Sequence, residues 1–133
     1  MKKTILATLL LFSTAIFATA PQPTFTSPKT AIVVNEKNSI FVITLASNPT
    51  TGYSWSVDKK NLDLSAIRII GHKYVAPTNR KLIGAPGYEA WAFQVKHHVF
   101  QKPQTLHITM IYSRPWEKNK DVTEETFTVT AKN

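Results

Sequence analysis

Three segments of this chain combine residue types that a strand does not need but a recognition loop does. The first is Asn48-Pro49-Thr50-Thr51-Gly52-Tyr53. An Asn can hydrogen-bond the backbone just after it, and a Pro fixes φ at the next turn position. Gly52 permits positive φ before extended structure resumes. The expected product is a tight, stiff loop that exposes two small hydroxyl residues, Thr50 and Thr51. Ordinary turns use the same residues, so this segment alone names no function. The second segment runs from Ala76 to Gly87 and ends Lys81-Leu82-Ile83-Gly84-Ala85-Pro86-Gly87. It is long for a compact domain, and long connections often carry function. Gly84 and Gly87 suit a backbone that bends sharply or approaches another surface; Leu82 and Ile83 read as core contacts at the loop base. The third segment, Tyr112 to Asp121, holds Arg114-Pro115-Trp116 in a polar setting. Leaving an indole in water costs about 25 cal/mol per Å² of apolar area. Trp and Arg are enriched where interfaces concentrate their energy, and Pro115 reduces the ordering cost of binding. Packing of Trp116 onto the end of the domain is the competing reading.

Reactive chemistry is poorly supplied. The chain has no Cys, which excludes a thiol nucleophile and a Cys-ligated metal. No carboxylate pair stands out, and no Gly-x-Ser-x-Gly occurs. His97 and His98 are adjacent on an expected strand, so they would face opposite sides. His72 and His107 are isolated. The expectation is a protein that is not an enzyme and uses no cofactor or metal.

The elements that must position these segments are strands. Residues 1–20 are set aside as a cleaved signal peptide. Lys2 and Lys3 precede an apolar run from Ile5 to Phe17, and Ala18-Thr19-Ala20 offers cleavage after Ala18 or Ala20. That run is too short to span a bilayer, which takes about 20 apolar residues. An exported protein, periplasmic or secreted, is expected, without a stable membrane anchor. Residues 21–28 are Pro- and Thr-rich and read as a flexible lead-in, followed by one domain over 29–133. Removing Lys2 and Lys3 leaves 14 basic residues against 8 acidic ones, a net +6. The basic residues are scattered, which favours a solubilising surface over nucleic-acid binding, and the charge could steer an acidic partner.

Short β-type runs fill the domain: Ala31 to Val34, Ser39 to Ala46, Tyr53 to Val57, Ala66 to Val75 with a bend near Gly71, Tyr88 to His97, Leu106 to Tyr112, and Phe127 to Ala131. Tyr88 to His97 reads as Trp91, Phe93 and Val95 on one face against Glu89, Gln94 and Lys96 on the other. Leu62 to Ile70 is the best helical window, and its β-branched content argues against it. About seven strands in this length suggest an all-β, immunoglobulin-like antiparallel β-sandwich; composition alone leaves a barrel open. The three segments fall at alternate connections, which in such a sandwich emerge at the same end.

In this order, Asn48-Pro49-Thr50-Thr51-Gly52-Tyr53, Leu82-Ile83-Gly84-Ala85-Pro86-Gly87 and Arg114-Pro115-Trp116 resemble the motifs of the chagasin family of cysteine peptidase inhibitors, inhibitor family I42. The resemblance extends from about Lys29 to Lys132. It implies an immunoglobulin-like fold and reversible, tight, non-covalent inhibition of papain-like (C1 family) cysteine peptidases, by a protein that is monomeric when free. Thr50 and Thr51 would then sit nearest the catalytic residues of the target. Gly84, Ala85, Pro86 and Gly87 would lie along the cleft wall by backbone contact, and Arg114 and Trp116 would meet the opposite wall. The chain departs from the family at Pro86, where many members have Gly, because Pro supplies no amide donor. The competing function is an exported adhesin or carbohydrate-binding module that stacks sugars on Trp116, Trp91 or Tyr88; sandwich folds host many functions.

Overall fold

A computed structural model describes residues 21–78, 85–118 and 121–133. Eight strands are present among them: β1 (Thr24–Phe25), β2 (Ile32–Val34), β3 (Ile40–Ser47), β4 (Ser54–Val57), β5 (Ile67–Val75), β6 (Gly87–Val95), β7 (Gln104–Ser113) and β8 (Thr123–Ala131). They form two four-stranded sheets in the orders β1-β3-β6-β5 and β2-β8-β7-β4. The fold is the expected all-β, immunoglobulin-like sandwich. The signal-peptide reading of residues 1–20 lies outside the described residues.

Alternation in the sequence builds the core. On β3, Phe41, Ile43 and Leu45 point inward; on β7 and β8, Ile108, Met110, Phe127, Val129 and Ala131 do the same from the other sheet. Phe41 stacks on Phe93 with ring centroids 5.6 Å apart. Burial on this scale contributes about 1.5–3 kcal/mol for each large apolar side chain, and it holds the domain with no disulfide.

Several expectations need correction. The lead-in segment carries β1, whose Thr24 and Phe25 pair in parallel with Val42 and Ile43. Phe25 meets the edge of Phe41, so the segment is pinned by an aromatic contact. His97 and His98 do not lie on a strand. β6 ends at Val95, and His97–Gln101 form a 3-10 turn that buries Val99 and Phe100. The bend anticipated near Gly71 is real: the β5–β6 register shifts between Ile69 and Gly71.

Glu89 is the most informative correction. It lies on the inward face of β6 with Trp91, Phe93 and Val95, and is only 3% exposed. Its residue number has the parity of that apolar face, and a charged side chain is seldom left there unpaired.

Register brings the three segments to one end. Ser47 is opposite Gly87, Val75 opposite Tyr88, Ser54 opposite Ser113, and Tyr112 opposite Thr123. The β3–β4, β5–β6 and β7–β8 connections therefore leave the sandwich at the same edge.

Candidate functional site: the loop edge

The first loop is a closed turn. Asn48 follows β3, Pro49–Thr51 form a single 3-10 turn, and Gly52 ends it at φ 82°. The Thr51 amide donates to the Asn48 carbonyl at 3.1 Å and the Gly52 amide to the Pro49 carbonyl at 3.0 Å. The Asn48 side chain does not take the expected backbone partner. Its Oδ1 accepts from Thr50 Oγ1 at 2.6 Å, while the Asn48 carbonyl accepts from Thr51 Oγ1 at 2.6 Å. Both threonines stay exposed at the tip, with their hydroxyl protons used inside the loop.

The third loop braces the first. Arg114 Nε donates to the Thr51 carbonyl at 2.9 Å, and Nη1 pairs with Glu117 at 3.1 Å. The guanidinium stands 4.4 Å over the Tyr53 ring. Tyr53 in turn stacks on Tyr112, ring centroids 5.2 Å apart, and Tyr112 Oη accepts from the Asn48 amide at 3.1 Å. Arg114 thus commits Nε and one Nη1 donor within the molecule and braces the edge from inside. Pro115 sits in the turn closed by the Glu117 amide on the Arg114 carbonyl, 3.1 Å. Trp116 is 68% exposed, yet its ring edge lies over Gly52, where an added Cβ would overlap it. The indole therefore offers most of its surface to solvent while touching the neighbouring loop.

Of the second loop, Ala85, Pro86 and Gly87 are described, and Gly84 lies outside the described residues, as do Leu82 and Ile83. Gly87 opens β6 beneath Tyr74; a Cβ there would collide with the Tyr74 hydroxyl and the Val75 carbonyl. Pro86 is exposed directly before it.

Beneath the edge sits the group that sequence reasoning placed on the wrong face. Glu89 accepts from Ser47 Oγ at 2.7 Å and from the Trp55 amide through both oxygens at 3.1 and 3.2 Å. Its Oε2 also meets His72 Nε2 at 3.0 Å, and the His72 ring stacks on Trp91 at 3.9 Å between centroids. Trp91 is partly buried against the core, which removes one of the three aromatics offered for stacking on sugars. Trp55 Nε1 donates to the Ala46 carbonyl at 2.9 Å, a second tie between the sheets.

Among the described residues no group of three or more His, Cys, Asp or Glu side chains is placed to hold a metal. A sandwich that gathers braced, partly apolar loops at one edge is a loop-presenting binding scaffold. Comparison with known proteins specifies the class. Residues 35–131 match the family described as chagasin family peptidase inhibitor I42. The chain therefore belongs to the chagasin family of peptidase inhibitors, and it is an inhibitor, not an enzyme. Among solved structures, a cysteine protease inhibitor from Entamoeba histolytica is 22% identical with a TM-score of 0.62, over 82% of this chain and 93% of its own. Amebosin, known from a solution structure, is 25% identical with a TM-score of 0.61, over 84% and 99%. No curated protein matches the chain.

Proposed function

We propose that this protein is a reversible, non-covalent inhibitor of papain-like (C1 family) cysteine peptidases, exported from the cell that makes it, and that it occludes the active-site cleft with the three loops of one edge. The convergence of Thr50–Thr51, Ala85–Gly87 and Arg114–Trp116 at that edge carries the reading. One of the solved structures of similar fold is a cysteine protease inhibitor from Entamoeba histolytica. A thiolate enzyme needs a substrate carbonyl placed in line with its sulfur. The first loop instead presents a closed turn, with the Thr51 and Gly52 amides bonded back to Asn48 and Pro49. Such a turn fills the cleft and resists cleavage. The bracing by Arg114 and Tyr112 means little further ordering is needed on binding, which favours affinity. An interface of ordinary protease–inhibitor size, about 800 Å² per partner, is within reach of one sandwich edge.

Titration against papain tests this directly. Saturable inhibition at or below micromolar concentration is expected, with the full-length inhibitor recovered intact from the complex. Absence of inhibition at micromolar concentration refutes it, and accumulation of fragments would replace occlusion by slow turnover.

A further inference from the structure

We infer that Glu89 is the positioning residue of the first inhibitory loop, clamping both of its stems from a buried site between the two sheets. Ser47 is the last residue of β3, immediately before Asn48, and Trp55 is the second residue of β4, three positions after Gly52. One carboxylate binds both at 3.2 Å or less, so the whole loop is strung between two points held by a single side chain. Ser47 and Trp55 belong to different sheets, and the clamp therefore fixes the separation of the sheets where the loop crosses between them.

The chemistry explains a carboxylate at this position. β4 is the edge strand of its sheet, and the Trp55 amide points away from β7 toward the sandwich interior. A buried amide and a buried hydroxyl each need an acceptor. Only a side chain with two acceptor oxygens and several lone pairs serves Ser47, Trp55 and His72 together. His72 closes the arrangement on the far side: its ring, stacked on Trp91, holds Oε2 from the edge strand β5. An apolar replacement would leave Ser47 Oγ and the Trp55 amide without this partner, and the two stems would be free to move apart. Loop position affects inhibition through the fraction of molecules in the competent conformation, since apparent affinity falls in proportion to it.

This inference rests on the reading that the first loop enters the peptidase cleft, and its test separates the two. Four full-length variants are compared with the native chain: Glu89→Ala, Glu89→Gln, Ser47→Ala, and Ile108→Val as a core control remote from the clamp. Backbone order parameters of Thr50, Thr51 and Gly52 are measured by NMR in the free protein, and inhibition constants are measured with papain, at a temperature where each variant is folded. In Glu89→Ala the order parameters are expected to fall from about 0.85 toward 0.6, with inhibition weaker by about tenfold or more. Glu89→Gln, which keeps the volume and one acceptor oxygen, should lose less, and Ser47→Ala should lose an intermediate amount. Ile108→Val lowers the melting temperature and leaves both loop readouts unchanged. A folded Glu89→Ala protein with a rigid loop and native inhibition overturns the proposal. If that variant does not fold, unchanged loop order in both Glu89→Gln and Ser47→Ala overturns it equally. A native protein that fails to inhibit papain defeats the functional reading, while the order parameters still decide the clamp.

Discussion

The indole of Trp116 lies across the α-carbon of Gly52, so that the third loop covers the one residue of the first loop that has positive φ. Glycine is needed there twice, for φ 82° and for the space under the ring. Gly52→Ala would incur about 1–2 kcal/mol of backbone strain and also displace Trp116. We expect a lowered melting temperature and at least tenfold weaker inhibition of papain, about 1.4 kcal/mol. Calorimetry and an inhibition titration on one sample check both halves.

Trp116→Ala separates binding from folding. With the residue 68% exposed, removal of its side chain should alter stability by no more than about 0.5 kcal/mol. Inhibition should weaken by about 1–2 kcal/mol, as for an interface anchor. An unchanged inhibition constant would take Trp116 out of the contact surface.

Arg114→Lys keeps the charge and discards the geometry. An ammonium cannot both donate from the Nε position to the Thr51 carbonyl and lie flat over Tyr53. Weaker inhibition by about 1 kcal/mol is expected, from a loosened first loop. The Thr51 amide should show faster hydrogen exchange in the same variant, which distinguishes a lost brace from a lost contact with the peptidase.

Pro86→Gly restores the amide donor that this chain lacks at the exposed position before β6. Loss of proline rigidity should destabilise the fold by about 0.4–1 kcal/mol. If the peptidase has an acceptor opposite, inhibition tightens by about 0.5–1.5 kcal/mol. A panel of papain-like peptidases should respond unequally, which would identify the second loop as a determinant of target preference. A uniform lack of response would show that no main-chain bond is made there.

Acid should loosen the β4–β5 connection, which holds two carboxylates bonded to their own neighbours. Asp58 lies below its ordinary value of 3.8, chiefly through the Asn61 side chain that donates to it at 2.6 Å. Asp63 is lowered from the same value, chiefly by the Ser65 side chain. A carboxylate that binds protons less readily when folded stabilises the fold above its unfolded value, and that stabilisation is lost as pH falls through the folded value. Stability from these two groups should thus be level above about pH 4 and decline below it. In Asp58→Asn and Asp63→Asn proteins, the melting temperature should vary less between pH 5 and 2.5.

Much of the loop edge was legible because antiparallel connections alternate between ends. Three segments at alternate connections had to share an edge once the strands were found, and period-two alternation found them. Glu89 was misassigned although its parity with Trp91, Phe93 and Val95 puts it inside. Its charge outweighed its position in the pattern, and its partners Ser47 and Trp55 lie 42 and 34 residues away. No local pattern reports a hydrogen bond across such a distance. The β1 strand escapes the pattern for the opposite reason: a two-residue strand beside Pro23 carries no periodicity, and pairing with β3 makes it. His97 and His98 leave the strand because the chain turns after Val95 to bury Val99 and Phe100, and no Gly or Pro marks that turn.

The Arg114–Thr51 bond joins segments 63 residues apart in the chain, and Trp116 and Tyr112 reinforce the same junction. The first and third loops are in effect one tool head mounted on two shafts. A substitution that reshapes one will be felt at the tip of the other, so gains and losses in the two loops will not add. Adaptation to a new peptidase would have to change them in concert.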